Sequence, residues 1–233
     1  NGVNNAAMPI TATITVTPTF TNGGVSCTGT SQTFTITVNP TANINALNDH
    51  LLCNGASFTE VAPTTTVTGG TLTYAWTNNT TSIGLAASGT GNVPAFTTVN
   101  NGTAPVTATV IVTPTFANGG TNCVGTKDTI YVVVNPTAKI NAIADKVECN
   151  GSVVAATMPT STATGGTVTY TWTNNTTSIG LAASGTGNIP SFTATNTGST
   201  AITSTIIVTP TFTNGGVSCV GTNDTFNITI NPP

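Results

Sequence analysis

The chain has 233 residues, of which only 4% are charged, and its formal net charge at pH 7 is −3. Three lysines cannot build the basic surface that nucleic-acid phosphates require, and no apolar run approaches the ~20 residues of a membrane-spanning helix. We therefore expect neither nucleic-acid binding nor a membrane span. The chain begins with NGVNN and has no secretory signal, so we expect a mature or internal fragment.

The first predicted elements are two strands joined by a tight turn. TATITVTPTF at 11–20 and TFTITVNP at 33–40 alternate apolar residues with Thr, which is typical of strands with one buried face. TNGG between them predicts a hairpin. Pro18 and its counterparts Pro114 and Pro210 interrupt the pattern, and Pro cannot donate to a ladder. We expect each of them at an edge, at a bulge or, as we favour, where the hairpin projects past its neighbours.

The next predicted strand carries Leu72, Tyr74 and Trp76 in alternation, and Trp76 also begins the stretch WTNNTTSIGLAASGTGN. The same stretch recurs unchanged at 172–188, although its flanks differ. The alternation favours a core position for the Trp over a sugar-stacking surface. Identity within a loop-like segment suggests that the stretch packs against the next unit or a neighbouring molecule, in which case Leu85→Asp with Leu181→Asp would disrupt assembly and spare folding, although the core of its own unit is the more usual place for a single Leu. The alternative is that both lie in the core of their own unit.

An internal repeat of about 96 residues organises the whole chain. Residues 41–136 align with residues 137–232 without a gap, and Asn-Pro pairs at 39–40, 135–136 and 231–232 mark the joints. These patterns predict an all-β protein of tandem Ig-like antiparallel β-sandwich domains. We divide it into a closing hairpin at 1–40 and two repeats at 41–136 and 137–233. Because a lone hairpin is marginal in water, earlier residues or a strand from another molecule would complete the first sandwich.

Several motifs resemble the polycystic-kidney-disease-like (PKD-like) repeats of secreted Bacteroidota surface proteins. They are CNG near the start of each unit, YAWTNN or YTWTNN, VTPTFTNGG, CVGT and the closing NP. The likeness covers the whole chain, although the WDFG-type signature of the better-known PKD domains is missing. The resemblance implies an Ig-like sandwich, an extracellular or cell-surface location, export by the type IX secretion system and no catalysis.

The five cysteines also follow the repeat. Cys27, Cys123 and Cys219 form one series, and Cys53 and Cys149 form the other. Disulfides are the natural interpretation in an oxidising compartment. The obvious pairing lies within a unit, Cys53 with Cys123 and Cys149 with Cys219.

Geometry favours a different pairing. Cys53 lies 13 residues after the joint at Pro40, and Cys123 lies 13 residues before the joint at Pro136. In an Ig-like sandwich this places them about 40 Å apart, whereas a disulfide needs Cα atoms within about 7 Å. We therefore favour Cys53–Cys219 as a staple across the joint, with Cys27, Cys123 and Cys149 paired to units outside the sequence. Free thiols and pairing within units remain the alternatives.

Few side chains are available for chemistry. His50 has no counterpart in the other unit, and the recurring carboxylates form two pairs, Asp49/Asp145 and Asp128/Asp224. No facing carboxylates, no CxxC and no positioned base are suggested, so we expect no enzyme activity, no metal and no cofactor. A calcium ion at Asp49 or Asp145 is a weaker alternative to an Asp in a turn. The resemblance also implies O-glycans, for which Thr129 and Thr225 follow an Asp and precede an apolar residue.

These observations favour a structural repeat of an extracellular filament or stalk. Its partners would be neighbouring copies of itself, because molecules with so little charge repel one another only weakly. The alternative is an adhesin segment that binds surface glycans or another cell.

Overall fold

The computed structural model describes residues 2–233, and almost all of its regular structure is β-strand. Two single-turn 3-10 helices, Thr81–Ile83 and Thr177–Ile179, are the helical elements of the described residues. None of those residues belongs to a helix with the length and apolarity that crossing a membrane requires. The predicted fold class, tandem Ig-like β-sandwich domains, is confirmed.

The first strands form the predicted hairpin. Its outer ladder joins Ile10 to Val38 and Val16 to Gln32, and its inner ladder closes around Gly23 and Gly24, which have φ of 58° and 79°. Glycine adopts these angles without steric cost. The strands are β1 (Ile10–Val16), β2 (Thr19–Asn22), β3 (Val25–Thr28) and β4 (Gln32–Val38).

The next strands form a complete sandwich. The larger sheet has the order β5-β12-β10-β7-β8 with β11 also paired to β10, and β6 pairs with β9 in the smaller sheet. The strands are β5 (His50–Cys53), β6 (Ser57–Phe58), β7 (Thr71–Asn78), β8 (Ser88–Thr90), β9 (Phe96–Thr97), β10 (Val106–Asn118), β11 (Thr121–Val124) and β12 (Asp128–Asn135).

The last strands repeat this arrangement. The larger sheet has the order β13-β20-β18-β15-β16 with β19 paired to β18, and β14 pairs with β17. The strands are β13 (Lys146–Cys149), β14 (Val153–Val154), β15 (Thr167–Asn174), β16 (Ser184–Thr186), β17 (Phe192–Thr193), β18 (Ile202–Asn214), β19 (Val217–Val220) and β20 (Asp224–Asn231).

One pairing in each sandwich differs from the expected antiparallel arrangement. β5 runs parallel to β12, and β13 runs parallel to β20. The cause is topological: the first strand of a unit enters at one joint, the last strand leaves at the next joint, and the two lie side by side. Parallel pairing therefore brings the end of β5 to the end of β12, at the joint between the two sandwiches.

The alternating residues of the predicted strands form the core. Val110, Val112 and Ile130 are fully buried, while Trp76 is 4% exposed and donates from Nε1 to the carbonyl oxygen of Asn92 at 3.1 Å. The predicted core position of the Trp is confirmed. Thr side chains occupy the opposite face of the same strands, so the period-two pattern was a reliable guide to the fold.

The repeated seventeen-residue stretch packs inside its own unit. Leu85 and Leu181 are 3% and 2% exposed, and each belongs to the core cluster of its own sandwich. The buried Asn78 Nδ2 donates to the carbonyl oxygen of Leu85 at 3.0 Å and so fixes the loop. The suggested packing of the stretch against the next unit through these side chains is wrong, and the core position expected of a single Leu is confirmed, because the loop folds back over its own sheets.

The hairpin of residues 1–40 has the same pattern with its apolar face uncovered. Phe20 is 70% exposed and Phe34 is 51% exposed, whereas their counterparts Phe116 and Ile130 are fully buried. The difference arises because the strands that cover this face in the two sandwiches have no counterpart beside β1 and β4.

Pro114 lies within the sheet, and the favoured prediction of a projecting position is wrong. It pairs with Tyr74 of β7, while on its other side β10 leaves β12 after Val112 and joins β11 from Thr115. Gly125 N donates to the carbonyl oxygen of Pro114 at 2.8 Å. Because the N–H and C=O of one strand residue point to the same side, the missing donor of Pro114 faces this interruption in the ladder.

Candidate functional site: the junction between repeats

A disulfide joins the two sandwiches. Cys53 at the end of β5 and Cys219 on β19 are bonded with an S–S distance of 2.01 Å and a Cα–Cα distance of 5.5 Å. Cys123 is half-buried, whereas Cys27 and Cys149 are exposed, and all three are free thiols within residues 2–233. The structure therefore holds the cross-joint pair and neither of the within-unit pairs.

Strand pairing places both cysteines at the joint. Cys53 lies beside Asn135, the last residue of β12, because β5 and β12 are parallel. Cys219 lies opposite Phe212, close to the turn of the hairpin formed by β18 and β19. This hairpin returns from the second sandwich to the joint, where Cys219 is 4% exposed. The disulfide is thus a consequence of the sheet topology.

Asparagine side chains connect each hairpin to the joint before it. Asn118 Nδ2 donates to Asn39 Oδ1 at 2.9 Å, and Asn214 Nδ2 donates to Asn135 Oδ1 at 3.0 Å. The two bonds join the same repeat positions, 96 residues apart. Sequence analysis missed this pair, although the recurrence of Asn before each joint Pro and before each Gly-Gly turn was a visible signal.

Backbone contacts at the two joints are also equivalent. Thr68 N donates to the carbonyl oxygen of Ala7 at 2.8 Å, and Thr164 N donates to that of Thr103 at 2.8 Å. A Cβ placed on Gly165, whose φ is +78°, would lie 2.8 Å from a proline ring of the preceding repeat. Successive units therefore meet in the same way at both joints.

The turn of the hairpin formed by β18 and β19 contacts the preceding sandwich closely. A Cβ on Gly215 would lie 2.5 Å from Leu51 Cδ2, and the residue has φ of +55°. Glycine is required here for both the conformation and the approach. A further hydrogen bond joins residues on the two sides of the joint, since Asn54 Nδ2 donates to Thr137 Oγ1 at 2.9 Å.

The recurring carboxylates accept backbone hydrogen bonds within their own units. Asp49 Oδ1 accepts from Tyr131 N at 2.8 Å, and Asp128 Oδ2 accepts from Leu47 N at 2.8 Å. The equivalent bonds of the next unit link Asp145 to Asn227 and Asp224 to Ile143. Residues 2–233 contain no cluster of three His, Cys, Asp or Glu side chains that could hold a metal ion. These Asp side chains thus act as ties between loops and strands.

One position at which the two units differ is occupied by His50 and Lys146. The His50 ring lies 4.6 Å from the Phe58 ring, centroid to centroid. Lys146 Nζ donates to the carbonyl oxygen of Ala155 and to Thr157 Oγ1, both at 2.7 Å. Burial lowers the pKa of the Lys146 amine, and the nearby carboxylate of Glu148 opposes this effect. Both side chains pack against their own sandwich.

The two predicted glycan acceptors lie at the start of the last strand of each sandwich. Thr225 on β20 is exposed, whereas Thr129 on β12 is half-buried. Thr129 N also donates to Asp128 Oδ1 at 2.8 Å, so a hydrogen bond joins the two residues of the Asp-Thr pair.

No protein-family model and no curated protein sequence matches the chain. Among solved structures, it is similar to the extracellular cadherin domains 3–6 of protocadherin gamma B2, with a TM-score of 0.40 and 12% identity over 97% of this chain and 60% of that one. It is also similar to domains EC22–24 of mouse cadherin-23, with a TM-score of 0.38 and 9% identity over 96% of this chain and 74% of that one. The fold assignment rests on the strand order itself.

Proposed function

We propose that the chain is a segment of a tandem structural array in an extracellular bacterial filament or stalk. Residues 41–136 and 137–233 are two complete repeats, and residues 1–40 are the closing hairpin of a preceding repeat. The array acts through its length and stiffness and catalyses no reaction. Its extracellular bacterial location and its export by the type IX secretion system are supported by the resemblance to PKD-like repeats.

The observation that carries this proposal is the equivalence of the two joints. Asn39 and Asn118 form the same bond as Asn135 and Asn214, so one repeat is related to the next by the same contacts each time. Repetition of one contact geometry generates an extended array, as in other repeat proteins. The cross-joint disulfide also supports an oxidising, extracellular environment.

Self-association is the part of the proposal that concerns partners. The outer face of the larger sheet presents Thr side chains, among them Thr169, Thr171 and Thr173 on β15, all exposed. A face with hydroxyl groups and almost no charge allows copies of the chain to pack side by side without strong repulsion.

Negative-stain electron microscopy of the purified chain tests this function. A structural segment is expected to form rods that associate end to end or side by side without any added ligand. The adhesin alternative predicts dispersed particles that bind specific sugars on a glycan array. Dispersed particles would therefore contradict self-association, and sugar binding by them would favour the adhesin.

Thr129 and Thr225 remain proposed O-glycan acceptors of this surface protein. Intact-mass measurement of the chain from its native source is expected to show added sugar mass. Substitution Thr225→Ala is expected to remove the sugar from the more exposed of the two positions. If the substituted chain carries the same added sugar mass as the original chain, the assignment to Thr225 is contradicted.

A further inference from the structure

We propose that the Cys53–Cys219 disulfide is a mechanical bypass, which carries tension along the two repeats while the chain between the cysteines carries none. The inference rests on the proposed function for the source of the tension, since a stalk or filament is pulled along its length. The disulfide itself and its place in the fold are independent of that function.

The covalent connectivity defines the bypass. The two cysteines are 166 residues apart in sequence, yet directly bonded. A force applied to the two ends of the chain passes through the hairpin and then through residues 41–53, crosses the S–S bond and continues through residues 219–233. Residues 54–218 form a closed loop beside this path. Most of both sandwiches and the joint at Pro136 lie inside the loop.

The first part of the path runs along the whole of its sandwich. Asn43 bridges to Thr126, and Cys53 pairs with Asn135, both in parallel. Ten residues of the path therefore lie beside nine residues at the end of the unit, most of them in the extended strand β12. A segment that covers the same distance as a strand with about the same number of residues is itself nearly extended.

The second part of the path has the same property. Cys219 lies opposite Phe212 and Ile230 lies opposite Ile202, both partners being on β18. Eleven residues of the path thus run beside ten residues of a continuous strand. Strand residues already rise about 3.3 Å each, close to the upper limit of about 3.6 Å. The 28 residues of these two segments, 13 before the S–S bond and 15 after it, can therefore lengthen by only on the order of 10 Å.

The free cysteines occupy the positions that would continue this path. The spacing of 26 positions from Cys27 to Cys53 matches the spacing from Cys123 to Cys149. If every joint of an array is bonded as the one at Pro136 is, each pair of repeats contributes one disulfide and 26 residues to the load path. Such an array holds its length under tension, and its sandwiches remain folded because the tension follows one nearly extended segment of each sandwich and bypasses the rest.

Loss of the disulfide changes the path completely. Tension must then pass through residues 54–218, and it can reach the C-terminal end only by way of both sandwiches. When these unfold, the 165 residues of the loop add about 600 Å of extended chain. The proposal thus predicts a large difference in extensibility between the oxidised and reduced chain.

Single-molecule force spectroscopy on the whole chain, held by tags fused to its two ends, measures this difference. Substitution of Cys27, Cys123 and Cys149 by Ser leaves one disulfide, whose presence is verified by mass spectrometry without reduction. The oxidised chain is expected to release about 600 Å less extension than the reduced chain. Residues 1–40 unfold in both states, so they do not affect the comparison.

The matched control replaces Cys53 and Cys219 by Ser in the same background and is expected to extend fully under both redox conditions. Equal extension of the oxidised and reduced chains would overturn the bypass, and so would the absence of the disulfide before pulling. Electron microscopy of the same protein reports self-association separately. A failure of the proposed function is therefore distinguishable from a failure of the bypass.

Discussion

The close packing of a Trp ring on a glycine gives a sharp test of why the seventeen-residue stretch is identical in both units. A Cβ on Gly89 would lie 2.3 Å from Trp76 Cζ2, and a Cβ on Gly185 would lie 2.3 Å from Trp172 Cζ2. Ordinary carbon contacts begin at about 3.5 Å, so each buried ring must move by about 1 Å in an alanine variant. Overpacking of this kind costs about 1–3 kcal/mol in each sandwich.

The double variant Gly89→Ala with Gly185→Ala destabilises both sandwiches, so the effect is visible in the unfolding transition of either one. For domains of this size about 1 kcal/mol lowers the Tm by roughly 4–8 °C, and we expect a fall of about 5–20 °C by differential scanning calorimetry. Gly102→Ala with Gly198→Ala is the matched control, since both glycines are exposed and the new Cβ atoms would lie 3.2 and 3.4 Å from the side-chain oxygens of Asn100 and Asn196. Equal Tm values for the two double variants would refute the packing argument.

Three further predictions concern the same sandwiches. Leu85→Asp with Leu181→Asp should abolish the β-sheet circular dichroism of the chain, because a buried unpaired carboxylate is costly; a folded chain that merely loses association would contradict the core assignment. Phe212→Ala should lower the free energy of unfolding by about 3–5 kcal/mol in urea titrations, whereas Phe20→Ala, at a 70% exposed position, should change it little; equal effects would place the two side chains in equivalent surroundings. Asn174→Ala leaves the carbonyl oxygen of Leu181 without its 2.9 Å donor, so it should cost about 1–3 kcal/mol in the same titration, and an unchanged midpoint would argue against the bond.

The strands and the placement of the cysteines could be predicted because both follow from short-range pattern. Alternation in the two strands of each closing hairpin identified the apolar face, and the repeat carried that assignment from one sandwich to the other, where the face is buried. The orientation of the first and last strands then brought Cys53 to Cys219, since an Ig-like unit passes the chain from one joint to the next.

Other features depended on contacts that pattern does not encode. Leu85 points into the core because Asn78 binds its carbonyl oxygen and because the chain turns at Gly84, which has φ of +100°. The loop-like composition of this stretch indicates neither feature. Pro114 was misplaced because the ladder on one side of β10 changes partner there, which alternation alone does not reveal. The parallel pairing of β5 and β12 is likewise a property of the topology and leaves no local signal.

Tryptic digestion without reduction tests the central claim, a covalent connection across the joint, most directly. Lys127, Lys139 and Lys146 are the basic residues of the chain, so cleavage separates residues 1–127 from residues 147–233. We predict that the denatured digest of the Cys123→Ser variant retains these two fragments in one disulfide-linked species, which reduction separates. Recovery of the two fragments as separate species before reduction would contradict the account.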